Sequence, residues 1–151
     1  MPNGYNGKIL HVDLTKSKFT VENPPESFYR KYLGGSAMGM HYILKEMKPG
    51  ADPLGPGNVL TLMLSALTGA PISGQSRMTA NAKSPLVDGI GDSQCGGFFP
   101  AEMKFAGFDG IVVTGKSSRP VYLWLHDGEA ELRDASRIWG KTTTEVDDLL
   151  K

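Results

Sequence analysis

Apolar and polar positions alternate over residues 8–14, KILHVDL, with Leu10, Val12 and Leu14 on one face and Ile9, His11 and Asp13 on the other. A period of two predicts a half-buried strand. After the polar turn Thr15-Lys16-Ser17-Lys18, FTV (19–21) resumes the alternation, so 8–22 reads as a β-hairpin. Asn23-Pro24-Pro25 breaks the sheet. ESFYRKYL (26–33) is predicted helical and is stopped by Gly34-Gly35. Ser36 is placed to cap a second helix over 37–47. There Met40, Ile43, Leu44 and Met47 recur at i, i+3, i+4 and i+7 as one apolar stripe, and the methionines read as core packing.

KPGADPLGPG (48–57) is a loop. NVLTLML (58–64) is nearly all apolar, as in a strand buried on both faces. SALTGAPISGQSR (65–77) has no periodicity, MTANAK (78–83) is a weak strand, and SPLVDGIGDSQCGG (84–97) reads as a second glycine-rich loop. FFPAEMKFA (98–106) is predicted helical, with Pro100 in its first turn and Gly107 closing it. GIVVTG (110–115) is a strand. VYLWLHDGEAELRD (121–134) is the clearest hairpin, turning at Asp127-Gly128. Thr142 and Glu145 have capping-box spacing for a last helix. Hairpins with helices between them give an α+β class, and nothing marks a boundary within a single domain, 1–151.

Sixteen basic and sixteen acidic residues cancel, which argues against a nucleic-acid partner. The lone cysteine, Cys95, excludes an internal disulfide and any Cys-x-x-Cys metal site. No run approaches the ~18 apolar residues of a membrane helix. The expected setting is the cytoplasm. Nineteen glycines in 151 residues is nearly twice the usual share of about 7%. Such a chain makes many tight turns or holds its backbone close to something else.

Complete catalytic sets are missing. His11, His41 and His126 lack ligand spacing and read as surface or satisfied core residues. No phosphate-binding P-loop and no nucleophile elbow is present. Cys95 has no histidine close in sequence to act as a base. What remains are two glycine-rich segments. SGQSR (73–77) ends in Arg77, and SQCGG (93–97) opens onto a helix. Such loops offer main-chain N–H groups to an anion, and a guanidinium adds a fixed bidentate cation. Alternatively, a Gly-Gly before a helix is only a turn and a loop arginine only a solvated charge.

GDSQCGGFFPAEMKFAGFDGIVVTGK (91–116) resembles the tungsten-dependent aldehyde:ferredoxin oxidoreductases. Their N-terminal domain carries Gly-Gly-aromatic-Phe-x-Ala-Glu-Leu-Lys-x-Ala-Gly-Tyr-Asp followed by a strand. NGYNGKILHVDLTK (3–16), YLGG (32–35), LKEMKPGADPLGPGN (44–58), ALTGAPISGQSR (66–77), KSPL (83–86), PVYLWL (120–125) and RDASRIWGK (133–141) fall in the same order and at about the same spacing. The resemblance covers essentially the whole chain. It implies an α+β, hairpin-rich base beneath a tungsten–bis-pterin cofactor with magnesium. Arg77 is then the arginine that contacts the pterin and lies toward the 4Fe-4S cluster. Gln94 and Gly96, with Cys95 and Gly97 as neighbours, form the turn that touches the second pterin and its phosphate-bound magnesium. Gln94 is the candidate magnesium contact, and Phe98 and Phe99 anchor the helix behind the turn.

The chain departs from the family at three places. Gln75-Ser76 stands where relatives have Gly-Gly, Gln94 where many have Asn, and Cys95 where Ser is common. Cys95 is expected to be a small packed residue and not a tungsten ligand. The rest of the N-terminal domain and the helical domains with the cluster cysteines and substrate pocket are absent from this sequence. The chain is therefore a truncated product, a cut piece or one subunit of a split enzyme. Its partner would be the remainder of the oxidoreductase or a second subunit. The complete enzyme would oxidise aldehydes to carboxylates with water as oxygen source, passing two electrons to ferredoxin. The alternatives are a non-catalytic remnant or partner-binding scaffold, whose uncovered apolar surface would favour a homo-oligomer, and a relative acting on an aryl acyl thioester.

Overall fold

A computed structural model describes residues 4–150. Residues 1–3 and 151, at the ends of the expected domain, lie outside the described residues. The elements run β1 (Ile9–Asp13), β2 (Lys18–Glu22), α1 (Glu26–Tyr32), α2 (Gly35–Glu46), β3 (Val59–Met63), β4 (Met78–Lys83), β5 (Ile90–Cys95), α3 (Phe99–Phe105), β6 (Gly110–Thr114), β7 (Val121–His126), β8 (Glu129–Asp134) and α4 (Thr143–Leu150). Six strands form one sheet in the order β2-β1-β6-β3-β4-β5, and β7-β8 is a separate hairpin. All neighbours are antiparallel except β1 and β6. The class is α+β. No helix among the described residues is long and apolar enough to cross a membrane.

The sheet is covered on both sides. On one side Ile9, Val59, Met63 and Val112 pack under Tyr29 of α1 and Met38, Tyr42 and Ile43 of α2. On the other, Leu10, Val12, Met78 and Ile111 meet Met103 of α3, with Leu123, Leu125 and Leu132 of the hairpin against them. β1, expected to be half-buried, is therefore buried on both faces, because it lies inside the sheet. β3, expected to be buried on both faces, buries only Val59, Thr61 and Met63 fully; Leu60 is 41% exposed.

The helical period over 37–47 is right but its phase is not. The buried positions are Met38, Gly39, Tyr42 and Ile43, while Leu44 is exposed. A Cβ on Gly39 would collide with Asn81 Oδ1 and Thr61 Oγ1. The helix turns Gly39 toward the sheet, and that close approach sets its rotation. Ser36 is not the cap. The helix begins at Gly35, its N-cap Gly34 forms a bridge with Ser65, and the Gly35 N–H donates to the Leu64 carbonyl (3.1 Å). The capping box at α4 does form, with Thr142 and Glu145 exchanging bonds.

A buried ion pair fastens the first strand. Lys104 Nζ lies 2.7 Å from Asp109 Oδ1, with side chains 9% and 2% exposed. The Asp109 carboxylate also accepts N–H bonds from Asn6 (2.9 Å), Gly7 (2.7 Å) and Lys8 (3.3 Å). Asn6 Nδ2 donates back to the Lys104 carbonyl (2.7 Å). The Asp109 N–H donates to Lys8, and its carbonyl accepts from Leu64. Removing one partner of such a pair strands a buried charge, at a cost of about 3–5 kcal/mol. Asp109→Asn is expected to lose that much in urea unfolding. Lys104→Met should lose clearly less, since three N–H donors still satisfy the carboxylate; equal losses would refute the clamp.

His11 bridges layers. Its Nε2 is 2.9 Å from Glu22 Oε2 and its Nδ1 is 3.2 Å from Glu46 Oε1; Lys45 also approaches Glu22 (3.8 Å). The hydrogen bond to Glu46 raises the His11 pKa, burial opposes, and the charge of Glu46 and then Glu22 add to the rise. A raised folded-state pKa contributes stability that is fully present below the unfolded value of about 6.5 and is lost as pH rises through the folded value. Wild type should therefore lose stability relative to His11→Gln as pH rises from about 6 into the alkaline range, by on the order of 1 kcal/mol. Parallel pH profiles of the urea midpoints would show that the bridge does not titrate in this range.

Candidate functional site

The two glycine-rich segments meet. β4 and β5 pair with Met78 opposite Cys95 and Thr79 opposite Gln94, so Arg77 and Gly96 follow directly at the same end. Ser76 Oγ donates to the Gly97 carbonyl. A Cβ built on Gly96 would lie 3.2 Å from the Ser76 carbonyl oxygen and 3.9 Å from Arg77 Nη1, which puts the guanidinium beside the Gly96 main chain. Arg77 is exposed and forms no ion pair or side-chain hydrogen bond among the described residues. Gly97 takes φ +86° and has nothing near its missing Cβ.

Residues 84–97 are not a single loop. Residues 90–95 are β5, an edge strand with nearly every side chain exposed. Side chains on a strand alternate, and directly opposed residues share a face. Gln94 therefore lies on the α2 face with Thr79, whose Oγ1 sits 3.1 Å from the Cβ position of Gly35. Cys95 lies on the opposite face with Met78. It is exposed, not packed, because no layer extends over this edge. Phe98 and Phe99 are also exposed, at 88% and 50%; the buried anchors of α3 are Pro100, Met103 and Lys104.

The loop before Arg77 is stitched from within. Thr68, 2% exposed, donates from Oγ1 to the Arg77 carbonyl (3.1 Å) and accepts the Ser65 N–H (3.2 Å). Gln75 Oε1 accepts the Gly69 N–H (2.6 Å). The bulk of Gln75-Ser76 is thus spent inside the loops, in bonds to Gly69 and Gly97. α2 starts at this same end, since Gly34 bridges Ser65 and Gly35 reaches Thr79. Its N-terminus has no side-chain cap, which leaves first-turn N–H groups and a partial positive charge near Thr79.

The site therefore offers donors, a free guanidinium and open main chain, and suits an anion with many acceptor oxygens. Among the described residues no three His, Cys, Asp or Glu side chains are grouped to hold a metal ion. The structure brings the expected Arg77, Gln94, Cys95, Gly96 and Gly97 to one end of the sheet, with Gln94 and Cys95 in β5, and adds Thr68, Ser76, Thr79 and the bare start of α2, which the sequence reading did not include. Ser65 and Thr68, three residues apart in a loop of small residues, were the available signal.

Comparisons with known proteins identify what the chain is similar to. The family model for the aldehyde ferredoxin oxidoreductase N-terminal domain matches residues 9–151. A tungsten-containing aldehyde ferredoxin oxidoreductase of Pyrococcus abyssi is 44% identical over 148 residues, 98% of this chain and 24% of that protein. An aliphatic sulfonate oxidoreductase, WOR-like subunit, of Pyrococcus furiosus is 37% identical over 139 residues, 90% of this chain and 22% of that protein. In solved structures, the active site complex BamBC of benzoyl coenzyme A reductase with 1,5-dienoyl-CoA superposes with a TM-score of 0.94. Its identity is 32%, and the match covers 100% of this chain and 23% of that one. The chain spans about a quarter of the relatives it matches.

The backbone makes a separable prediction. Gly97→Ala should cost about 1–2 kcal/mol in thermal unfolding because an L side chain at φ +86° is strained even in open space. Gly96 lies outside the left-handed region, so Gly96→Ala should cost less and act by pressing on Ser76. A larger stability loss at Gly96 than at Gly97 would contradict the turn geometry.

Proposed function

The chain belongs to the aldehyde ferredoxin oxidoreductase family, through its N-terminal domain, and on that premise we propose that it is the first part of the cofactor-binding domain of a tungsten–bis-pterin oxidoreductase. The observation that carries the proposal is the unpaired Arg77 guanidinium beside the Gly96 main chain, at the sheet end where α2 begins uncapped. This donor set matches the phosphate and heterocycle oxygens and nitrogens of such a cofactor. Arg77 binds and orients the pterin and biases it electrostatically. The Gly96–Gly97 main chain receives the phosphate end, and Gln94, on the α2 face, is its magnesium contact. Cys95 borders the turn from the opposite face. When bound, the group supplies two-electron redox chemistry; no residue of this chain is the reacting group.

In the complete enzyme, made with the remainder of the oxidoreductase or a second subunit, the substrate is an aldehyde and the product a carboxylate. A 4Fe-4S cluster held by the remainder of the enzyme would supply electron transfer to ferredoxin, in the cytoplasm. The higher identity to the aldehyde relatives favours this substrate class. A second reading, an aryl acyl thioester, draws on the likeness to the benzoyl coenzyme A reductase complex. A third, a non-catalytic scaffold that forms homo-oligomers, draws on the exposed Phe98 and Phe99 beside the cradle.

In the assembled protein, Arg77→Ala is expected to lower tungsten and pterin content severalfold by elemental analysis and pterin fluorescence. Arg77→Lys should fall between, because it keeps the charge without the fork. Circular dichroism should not change, since Arg77 is exposed. Full cofactor content in Arg77→Ala would sink the assignment, and a wild-type assembly free of both tungsten and pterin would favour the scaffold.

A further inference from the structure

At the other end of the sheet the chain builds a second concave surface. Arg77 and Gly96 lie beyond Met78 and Cys95, whereas β6 ends at Thr114, opposite Val59 at the far end of β3. There the loop Lys116-Ser117-Ser118-Arg119-Pro120 leads into β7. The Pro120 carbonyl accepts the Ala135 N–H (3.0 Å), and the Ala135 carbonyl accepts the Trp139 N–H (2.9 Å). These two bonds hold the 135–139 turn against the loop. Between them lies a cavity of about 370 Å³ lined by Lys116, Ser117, Ser118, Arg119 and Trp139 over the apolar floor of Leu14.

The chemistry of this lining is one-sided. Beside the apolar Leu14, Pro120 and Val121, its polar side chains are two cations, two hydroxyls and an indole, with no carboxylate. Neither Lys116 nor Arg119 forms an ion pair or a side-chain hydrogen bond among the described residues. Other surface cations do, as Arg30 with Glu26 and Arg133 with Glu131. The nearest acids are otherwise engaged: Asp13 is bonded by the Thr15 and Lys16 N–H groups and paired with Lys16, and Asp134 is bonded by Ser136 while it feels the charge of Arg119. Trp139 is 70% exposed, which leaves most of the indole bare at the rim.

Unpaired cations with hydroxyls select a phosphate, and a bare indole selects a planar ring. A nucleotide carries both groups in one small molecule, and the volume lies in the range of small-molecule sites. We propose that this cup binds a nucleoside monophosphate, with the phosphate on Lys116, Arg119 and the two serines and the base stacked on Trp139. The chain's zero net charge sets it apart from a nucleic-acid tract, which needs an extended basic face.

Calorimetric titration of the full protein with AMP, ribose 5-phosphate and adenosine tests both halves. AMP should bind at least about tenfold more tightly than either fragment, since each makes only half the contacts. Arg119→Gln should weaken AMP about tenfold and leave adenosine unchanged. Trp139→Leu should bring AMP down to ribose 5-phosphate, and Trp139→Phe should restore part of the difference. No heat with AMP at millimolar concentration, equal affinity for AMP and ribose 5-phosphate, or AMP binding unaltered in Arg119→Gln would each overturn the proposal. All of these positions are exposed or at the rim, and tungsten content in the variants should stay at the wild-type level, so the outcome is independent of the Arg77 cradle.

Discussion

The buried Lys104–Asp109 pair is the constraint on which the rest of the architecture depends. Asp109 joins four elements at one residue. Its carboxylate gathers the N–H groups of residues 6–8, its main chain bonds Lys8 and Leu64, and Lys104 ties it to α3. The entry to β1 is thereby fixed beside β6, which makes this parallel pair possible although about a hundred residues separate the strands. The exit of β3 is fixed at the same point, and so is the C-terminal turn of α3. Because α3 is only seven residues long, fixing its end also positions its start, where Gly96 and Gly97 stand. A buried ion pair is weak evidence of net stability, but it specifies a unique arrangement when every donor and acceptor is met. Here each carboxylate oxygen has two partners.

Local signals were legible wherever the chemistry was local. The Asp127-Gly128 turn takes positive φ at both residues, and Thr142 with Glu145 forms its box. The hairpin of β1 and β2 follows its alternation. Failures came where a distant neighbour decided. β1 alternates as a half-buried strand does, and only the parallel partner β6 and a layer on each side bury residues on both of its faces. β5 has no alternation and Ile90 as its one large apolar residue, because an edge strand uncovered on both faces needs neither alternation nor apolar content; it exists through its pairing with β4. The phase of α2 is set by Gly39 approaching Asn81 and Thr61, not by the large apolar residues that dominate a periodicity count.

The same distinction applies to the candidate site. Arg77 and the 94–97 turn were legible because glycine next to a cation has a simple chemical meaning. The supporting groups were not, since Thr68, Gln75 and Ser76 act through main-chain partners that only the folded loop brings near. Lys104 and Asp109 stood in plain view as two charges in the apolar run MKFAGFDGIVV, a pattern that calls for burial with a partner.

Several departures from ordinary design collect at one end of this molecule. α2 lacks a cap, β5 is bare on both faces, Phe98 and Phe99 face solvent, Gly97 is left-handed, and Arg77 has no counter-ion. Each has a small cost by itself. Elsewhere most local rules hold, with a capped α4, a well-formed β7-β8 turn and a fully satisfied Asp109, apart from the unpaired Lys116 and Arg119 and the bare Trp139 at the opposite end. Natural proteins tend to break local rules at functional sites and compensate elsewhere. The compensation here is the clamp, which lies on the same end of the sheet as the cradle and holds the backbone around it. A rigid base with an unsatisfied rim is what positioning a large polyanionic group requires, because the binding energy then need not be spent on ordering the loops.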